Sequence, residues 1–249
     1  MDFIISNQKN ISVKLQRLLM IMVAIIVASM TITACWDDEN DEDGEENGNG
    51  GGGVAGKRIK TTLQTDASGK TSRGERTYNN DGSLNRIDYY DSSSSRTSYQ
   101  INTNNPDGTP NKWEDFNTSG NSVVFYTYDA NKKPLKGEGT IGTLPLTYDF
   151  TFQNGRLIRW IQTIGTPGTD VYVVITFEQK YDSNGRRTST TETNSTTGTR
   201  QYTRTYNSDG TLQKVTADGY SMYPGTGYTL AFTWEDGKTT LNFDDFSPY

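Results

Sequence analysis

The chain has no histidine, and it has one cysteine, Cys35, in 249 residues. Without histidine there is no Ser-His-Asp or Cys-His catalysis, no imidazole general base and none of the usual zinc sites. One cysteine makes no intrachain disulfide, so stability must come from packing and strand pairing. Positive charge is also short: Lys and Arg number 24 against 30 Asp and Glu, a formal charge of -6. Nucleic acid rewards clustered cations, so it is not an expected partner. Long apolar runs are missing too. The one uninterrupted stretch, Leu18 to Val27, is about ten residues, half of the roughly 20 that a membrane-spanning helix needs. After Cys35 no segment keeps a helical period of apolar residues.

What is present begins at the N-terminus. Lys9, Lys14 and Arg17 precede the apolar run, and Ile32-Thr33-Ala34 precede Cys35. A basic region, an apolar region and a small-residue cleavage site make a secretory signal. The cysteine directly after that site resembles the lipobox of bacterial lipoproteins. That resemblance implies cleavage before Cys35, a diacylglycerol on its thiol and a membrane partner through the lipid. An uncleaved anchor and an ordinary secretory signal are the other readings of the segment.

The next residues, 36–56, read WDDENDEDGEENGNGGGGVAG. Neither the carboxylate half nor the glycine half can bury enough apolar surface to offset its ordering entropy. As flexible coil the tether reaches roughly 25 Å. The acidic run lacks the spaced ligands of a calcium loop, and no cofactor is expected. An acidic cluster just after a lipidated cysteine is similar to the export signal of Bacteroidota surface lipoproteins. It implies a surface-exposed place on the outer membrane. Trp36 suits a membrane interface.

From Lys57 on, one pattern recurs: Thr or Lys, an aromatic, a few polar residues, Gly, then mixed residues. Copies read TYNNDGSLNRI at Thr77, TFQNGRLIRWI at Thr151, KYDSNGRRTST at Lys180, TYNSDGTLQKV at Thr205 and TWEDGKTTLNF at Thr233. Looser copies start at Thr127 and Tyr99, and Thr65 opens a further turn. The aromatics Tyr78, Tyr128, Phe152, Tyr181, Tyr206 and Trp234 are spaced by 24 to 29 residues, apart from one gap near 50 that the Tyr99 copy fills. Such a period dictates architecture. Asp-Gly and Asn-Gly supply the positive φ of tight hairpins, and the Thr, Tyr, Val and Phe around them suit a pleated surface. Each unit is a hairpin plus a return connection. About seven units make an all-β antiparallel meander of about 14 strands. We expect one large twisted sheet that either curls into a barrel or folds over itself.

The unit resembles the YD repeats of Rhs and teneurin-like proteins. Tyr128-Asp129 and Tyr181-Asp182 match the pair literally, and Tyr78-Asn79 and Tyr206-Asn207 are close variants. The resemblance covers most of residues 60–240 and implies hairpin repeats. The chain is too short for the closed shell of the long members, so it looks more like the small YD-like lipoproteins of Bacteroidota. Three segments follow: a signal at 1–34, a lipidated tether at 35–56 and a repeat domain at 57–249.

Strand patterns grade the domain. Val171, Val173, Ile175 and Phe177 alternate with Tyr172, Val174 and Thr176, apolar on both faces, which suits a covered strand. Leu146, Tyr148, Phe150 and Phe152 give one buried face, as do Tyr228, Leu230, Phe232 and Trp234. Residues 186–206 are polar on both faces and look unable to build a core. Neither they nor 91–105 give the outward apolar band of a membrane barrel.

Two groups of residues could carry function. Trp113, Trp160 and Trp234 are candidates to stack on sugar rings or anchor a protein partner, with the core as their competing place. Glu114-Asp115, Glu235-Asp236 and Asp244-Asp245 could serve a glycoside hydrolase, although strand neighbours point to opposite faces. The leading expectation is a non-enzymatic surface module that binds a glycan or a protein. The alternatives are a carboxylate hydrolase and a purely structural envelope component.

Overall fold

The structure, a computed structural model, describes residues 56–118 and 120–237. Cys35, the acidic tether and Asp244-Asp245 lie outside the described residues. The first strands are β1 (Lys57–Asp66), β2 (Thr71–Tyr78), β3 (Leu84–Tyr90), β4 (Arg96–Asn104) and β5 (Pro110–Asn117). Next come β6 (Gly120–Tyr128), β7 (Pro134–Ile141), β8 (Leu144–Gln153), β9 (Arg156–Ile164) and β10 (Val173–Tyr181). β11 (Arg187–Asn194), β12 (Gly198–Tyr206), β13 (Leu212–Ala217) and β14 (Tyr228–Asp236) complete the set. Each strand pairs antiparallel with the next, and β14 returns to β1, so the meander closes into a 14-stranded barrel. Of the two expected closures, the sheet takes the barrel.

The repeat turns explain the hairpins. In the β2–β3 turn the Asn79 N–H donates to the Ser83 carbonyl at 2.8 Å, and the Gly82 N–H to the Asn79 carbonyl at 3.0 Å. Gly82 has φ 88°, and the pairing shifts register between Thr77 and Tyr78. This is a five-residue turn closed by a bulge. The same backbone bonds recur at 66–70, 91–95, 105–109, 129–133, 182–186 and 207–211. A carboxylate locks each one. Asp182 Oδ1 accepts from the Asn184 and Arg186 N–H groups at 2.9 Å. Where the turn opens with Asn, an Asp two residues on does the work, as Asp209 does for the Thr211 N–H.

The repeat aromatics have a common task. Each tyrosine hydroxyl reaches back to a carbonyl: Tyr78 to Ile59, Tyr128 to Pro110, Tyr181 to Leu157 and Tyr206 to Arg187, at 2.5 to 2.7 Å. The Trp234 indole N–H donates to the Leu212 carbonyl at 3.0 Å. Such a bond contributes about 1 kcal/mol net. A cation often covers the ring: Arg58 sits 4.5 Å from the Tyr78 centroid, Arg186 5.3 Å from Tyr206 and Arg156 5.7 Å from Tyr181. The post-turn cations thus serve the rings, and Arg186 also pairs with Asp182 of its own turn at 3.0 Å.

The closing pair completes the repeat from the two ends of the described chain. β14 carries the Thr233 copy, and its partner β1 places Arg58-Ile59 where Arg156-Leu157 and Arg186-Arg187 stand after their turns. Lys57 and Asp236 pair at 2.7 Å, and the Gly237 N–H donates to the Gly56 carbonyl.

Side chains alternate in and out. One interior cluster joins Trp113, Val124, Leu146, Tyr148, Trp160, Ile175 and Phe177 across β5–β10. A second joins Tyr202, Leu212, Val215, Tyr228 and Leu230 across β12–β14. Outward positions are mostly polar, although Leu63, Phe125 and Leu135 are exposed on β1, β6 and β7. Along β12, Thr199, Gln201, Thr203 and Thr205 are exposed while Arg200, Tyr202 and Arg204 are buried. On this strand the pattern is the reverse of a membrane barrel's, whose outer face is apolar. Among the described residues no second layer covers β10, contrary to the covered strand expected there. It starts at Val173, and Tyr172 before it is exposed. Strands β11 and β12, expected to contribute no core, bury a polar one.

Candidate functional site at the distal rim

An even number of antiparallel strands puts both described ends, Gly56 and Gly237, at one end of the barrel. The turns at 79–83, 105–109, 129–133, 154–155, 182–186 and 207–211 share that end. The opposite, distal end carries the turns at 66–70, 91–95 and 142–143, the β5–β6 connection and the loops at 165–172, 195–197 and 218–227.

A depression of about 290 Å³ opens at the distal rim. Arg96, Ser98 and Tyr99 of β4, Phe116 and Asn117 of β5, and Asn121 of β6 form most of its wall. Pairing builds it: Ser98 lies opposite Asn117, and Tyr99 opposite Phe116. The Tyr99 and Phe116 rings stack with centroids 4.7 Å apart and planes 14° apart. Arg86 stands 4.2 Å and Arg96 5.1 Å from the Tyr99 centroid. The 91–95 turn sets Arg96 in place. Asp91 Oδ1 accepts from the Ser93 and Ser95 N–H groups at 2.9 and 3.0 Å, with Ser94 at φ 63°. These bonds hold the Asp91 carboxyl below its ordinary range, the Ser93 hydroxyl contributing most.

Just inside the rim lies Asp115, with no solvent exposure. Asn117 Nδ2 donates to its Oδ2 at 3.0 Å, while its Oδ1 has no partner among the described residues. Burial pushes this carboxyl up to about 6, against the Asn117 bond that lowers it. Gln100 and Ser122 flank it on β4 and β6, and both are buried. One step further in, Trp113 pairs with Asn102. Its Nε1, the Asn102 amide nitrogen and the Ser122 hydroxyl are likewise buried and unbonded. A polar stripe therefore runs down the inner wall behind the rim depression.

A second polar cluster sits under the 218–227 loop. The Tyr202 and Tyr220 hydroxyls donate to the Glu192 carboxylate, the latter at 2.6 Å. Arg200 lies 3.7 Å from the Tyr220 centroid and donates to the Thr226 carbonyl at 2.9 Å. Burial raises the Glu192 pKa, and the two hydroxyls and Arg200 oppose it. The loop is strapped down further, since the Ser221 N–H donates to the Thr199 carbonyl at 2.9 Å. Its tip nonetheless leaves Met222 62% and Tyr223 42% exposed.

The tryptophans do not form a surface platform. Trp113 is 1% and Trp160 2% exposed. Trp160 stacks on Phe177 at 4.3 Å inside the barrel, and Trp234 is held by its indole bond. Nor do the carboxylate pairs converge. Asp115 points inward while Glu114 pairs with Lys112 at 2.9 Å. Glu235 pairs with Arg58 and Asp236 with Lys57. Sequence reasoning missed Arg96, Tyr99, Phe116, Asn117 and Asn121. The available signal was an aromatic at outward positions of neighbouring strands, each near an arginine or amide.

Among solved structures, the chain is similar to a porin-like protein from Bacteroides uniformis, with a TM-score of 0.44 and 12% identity over 73% of this chain and 96% of that one. No family model and no curated protein matches the chain.

Proposed function

We propose that this chain is a lipid-anchored envelope protein whose barrel displays a glycan-binding rim on the side away from the membrane. The observation that carries this reading is the polarity of the barrel. The tether enters at one end, and the rim depression lies at the other. Strands of six to ten residues at ~3.3 Å per residue, tilted, set the two ends roughly 15–25 Å apart. The lipobox and acidic tether supply the anchor. Aromatic rings beside amides, hydroxyls and an arginine are the groups that hold a sugar ring and its hydroxyls. A second reading is a protein partner docking on the distal loops, favoured by exposed Met222, Tyr223 and Tyr172.

The test uses the full chain in a diderm host. Wild type is expected in the detergent phase, with a mass showing cleavage before Cys35 and added acyl chains. Cys35→Ala should leave that phase, and protease shaving of whole cells should remove the wild-type domain. Phe116→Ala should abolish retention on a glycan panel that wild type binds. Equal partitioning of wild type and Cys35→Ala would sink the anchor. Glycan binding that survives Phe116→Ala but is lost in Met222→Ser/Tyr223→Ser would move the binding face to the loops.

A further inference from the structure

Building on the glycan reading, we infer that the rim depression selects an anionic saccharide, one bearing a carboxylate or sulfate on the sugar, with Arg96 as the residue that reads the charge. The protein as a whole carries more Asp and Glu than Lys and Arg. The depression inverts that balance: its lining has one arginine and no carboxylate. On so acidic a chain, a cationic pocket is a local feature and does not follow from the general surface.

The charge of Arg96 is available. Among the described residues its one ion pair is with Asp88 Oδ1 at 3.3 Å, longer than a strong charge-assisted bond. Asp88 is already committed, because Arg86 Nε and Nη2 grip its two oxygens at 2.8 and 2.7 Å. Two arginines and one carboxylate leave one positive charge, and it falls on the arginine that lines the depression. A guanidinium has five N–H donors in a planar fork. Arg96 spends one on a long bond, and its side chain is 52% exposed. The fork can therefore take a carboxylate or sulfate bidentately without leaving the Tyr99 ring. Around it, the Asn121 amide and the Thr97 and Thr118 hydroxyls offer uncharged bonds suited to sugar hydroxyls. Asp115, next in the chain to Phe116, faces the barrel interior and is fully buried.

The experiment measures binding of the full-length protein in detergent by calorimetry. The probes are oligogalacturonate, a sulfated heparin oligosaccharide and neutral maltoheptaose. Wild type should bind at least one acidic probe about tenfold or more tighter than the neutral one, as an added charge-assisted contact predicts. The preference should weaken with salt. Arg96→Gln should lose the preference while keeping its melting temperature, because the side chain is half-exposed. Arg96→Lys should keep part of it. Galacturonate against sulfate separates the two sources of charge. An acidic preference that persists in Arg96→Gln overturns the assignment. Equal binding of acidic and neutral probes, both lost in Phe116→Ala, overturns it and leaves the glycan reading standing. No binding of any probe overturns both.

Discussion

A single buried carboxyl illustrates how much one side chain can report. Asp115 titrates near 6 in the folded barrel, against about 3.9 in an unfolded chain. The folded state therefore holds this proton more tightly. The favourable contribution is complete below pH ~4, is lost as pH rises through about 6, and stays lost above. Asp115→Asn keeps the shape and the Asn117 contact but removes the titration. Its stability relative to wild type should rise between pH ~4 and ~6 and then level, by at most roughly 2–3 kcal/mol. Urea unfolding of both proteins across that range checks the difference. A flat difference would mean that water reaches Asp115. At this scale little of the site was legible beforehand. The Glu114-Asp115 pair is visible in the sequence, and so is the rule that neighbours on a strand face opposite ways. Which of the two faces inward depends on register, and register is set by bulges that shift the pairing by one residue. Trp113 shows the same limit, since exposed and buried tryptophans read alike until the inner face is known.

Turns were far easier to read, because their chemistry is local. Asn-Asn-Asp-Gly and Asn-Ser-Asp-Gly announce the backbone bonds found at 79–83 and 207–211. The two irregular members are the informative ones. Lys132 at φ 62° and Ser94 at φ 63° occupy the left-handed position that glycine fills in the other five bulged turns. An L-residue there costs about 1–2 kcal/mol, offset in part by the freedom glycine adds to the unfolded chain. Lys132→Gly should therefore stabilise by about 0.5–1 kcal/mol, and Gly210→Ala, at φ 86°, should destabilise by about 1–2 kcal/mol. Thermal melting should move by about 2–4 °C per kcal/mol at this size, in opposite directions. Strands β11 and β12 were misjudged for a complementary reason. Polar residues on both faces looked coreless, yet Glu192, Arg200 and Tyr202 form an interior cluster. Alternation identifies the inner face, but it does not say what will fill it.

The whole molecule depends on its seam. β1 and β14 pair from Lys57↔Asp236 to Asp66↔Tyr228, and without that pairing both strands become open edges. A chain ending at Gly227 should lose the cooperative melting transition of the full protein and associate through its edges. Calorimetry with light scattering tests this, and a sharp monomeric transition would show that the sheet tolerates an open seam. The repeat period foretold the strand number, and closure was one of two expected outcomes. The partner of the last repeat was not foretold, because it lies at the other end of the repeat domain. The two ends of the barrel also differ in kind. At the end that holds Gly56 and Gly237, five of six turns are the same five-residue bulge. At the distal end, connections range from two-residue turns such as 142–143 to the ten residues of 218–227. The uniform end fixes the register of the wall hairpin by hairpin, and the varied end carries neither described terminus. Loops there can lengthen, shorten or change composition without shifting a strand. The barrel thus divides into a frame that holds register and a face open to change, and alterations at that face leave the scaffold untouched.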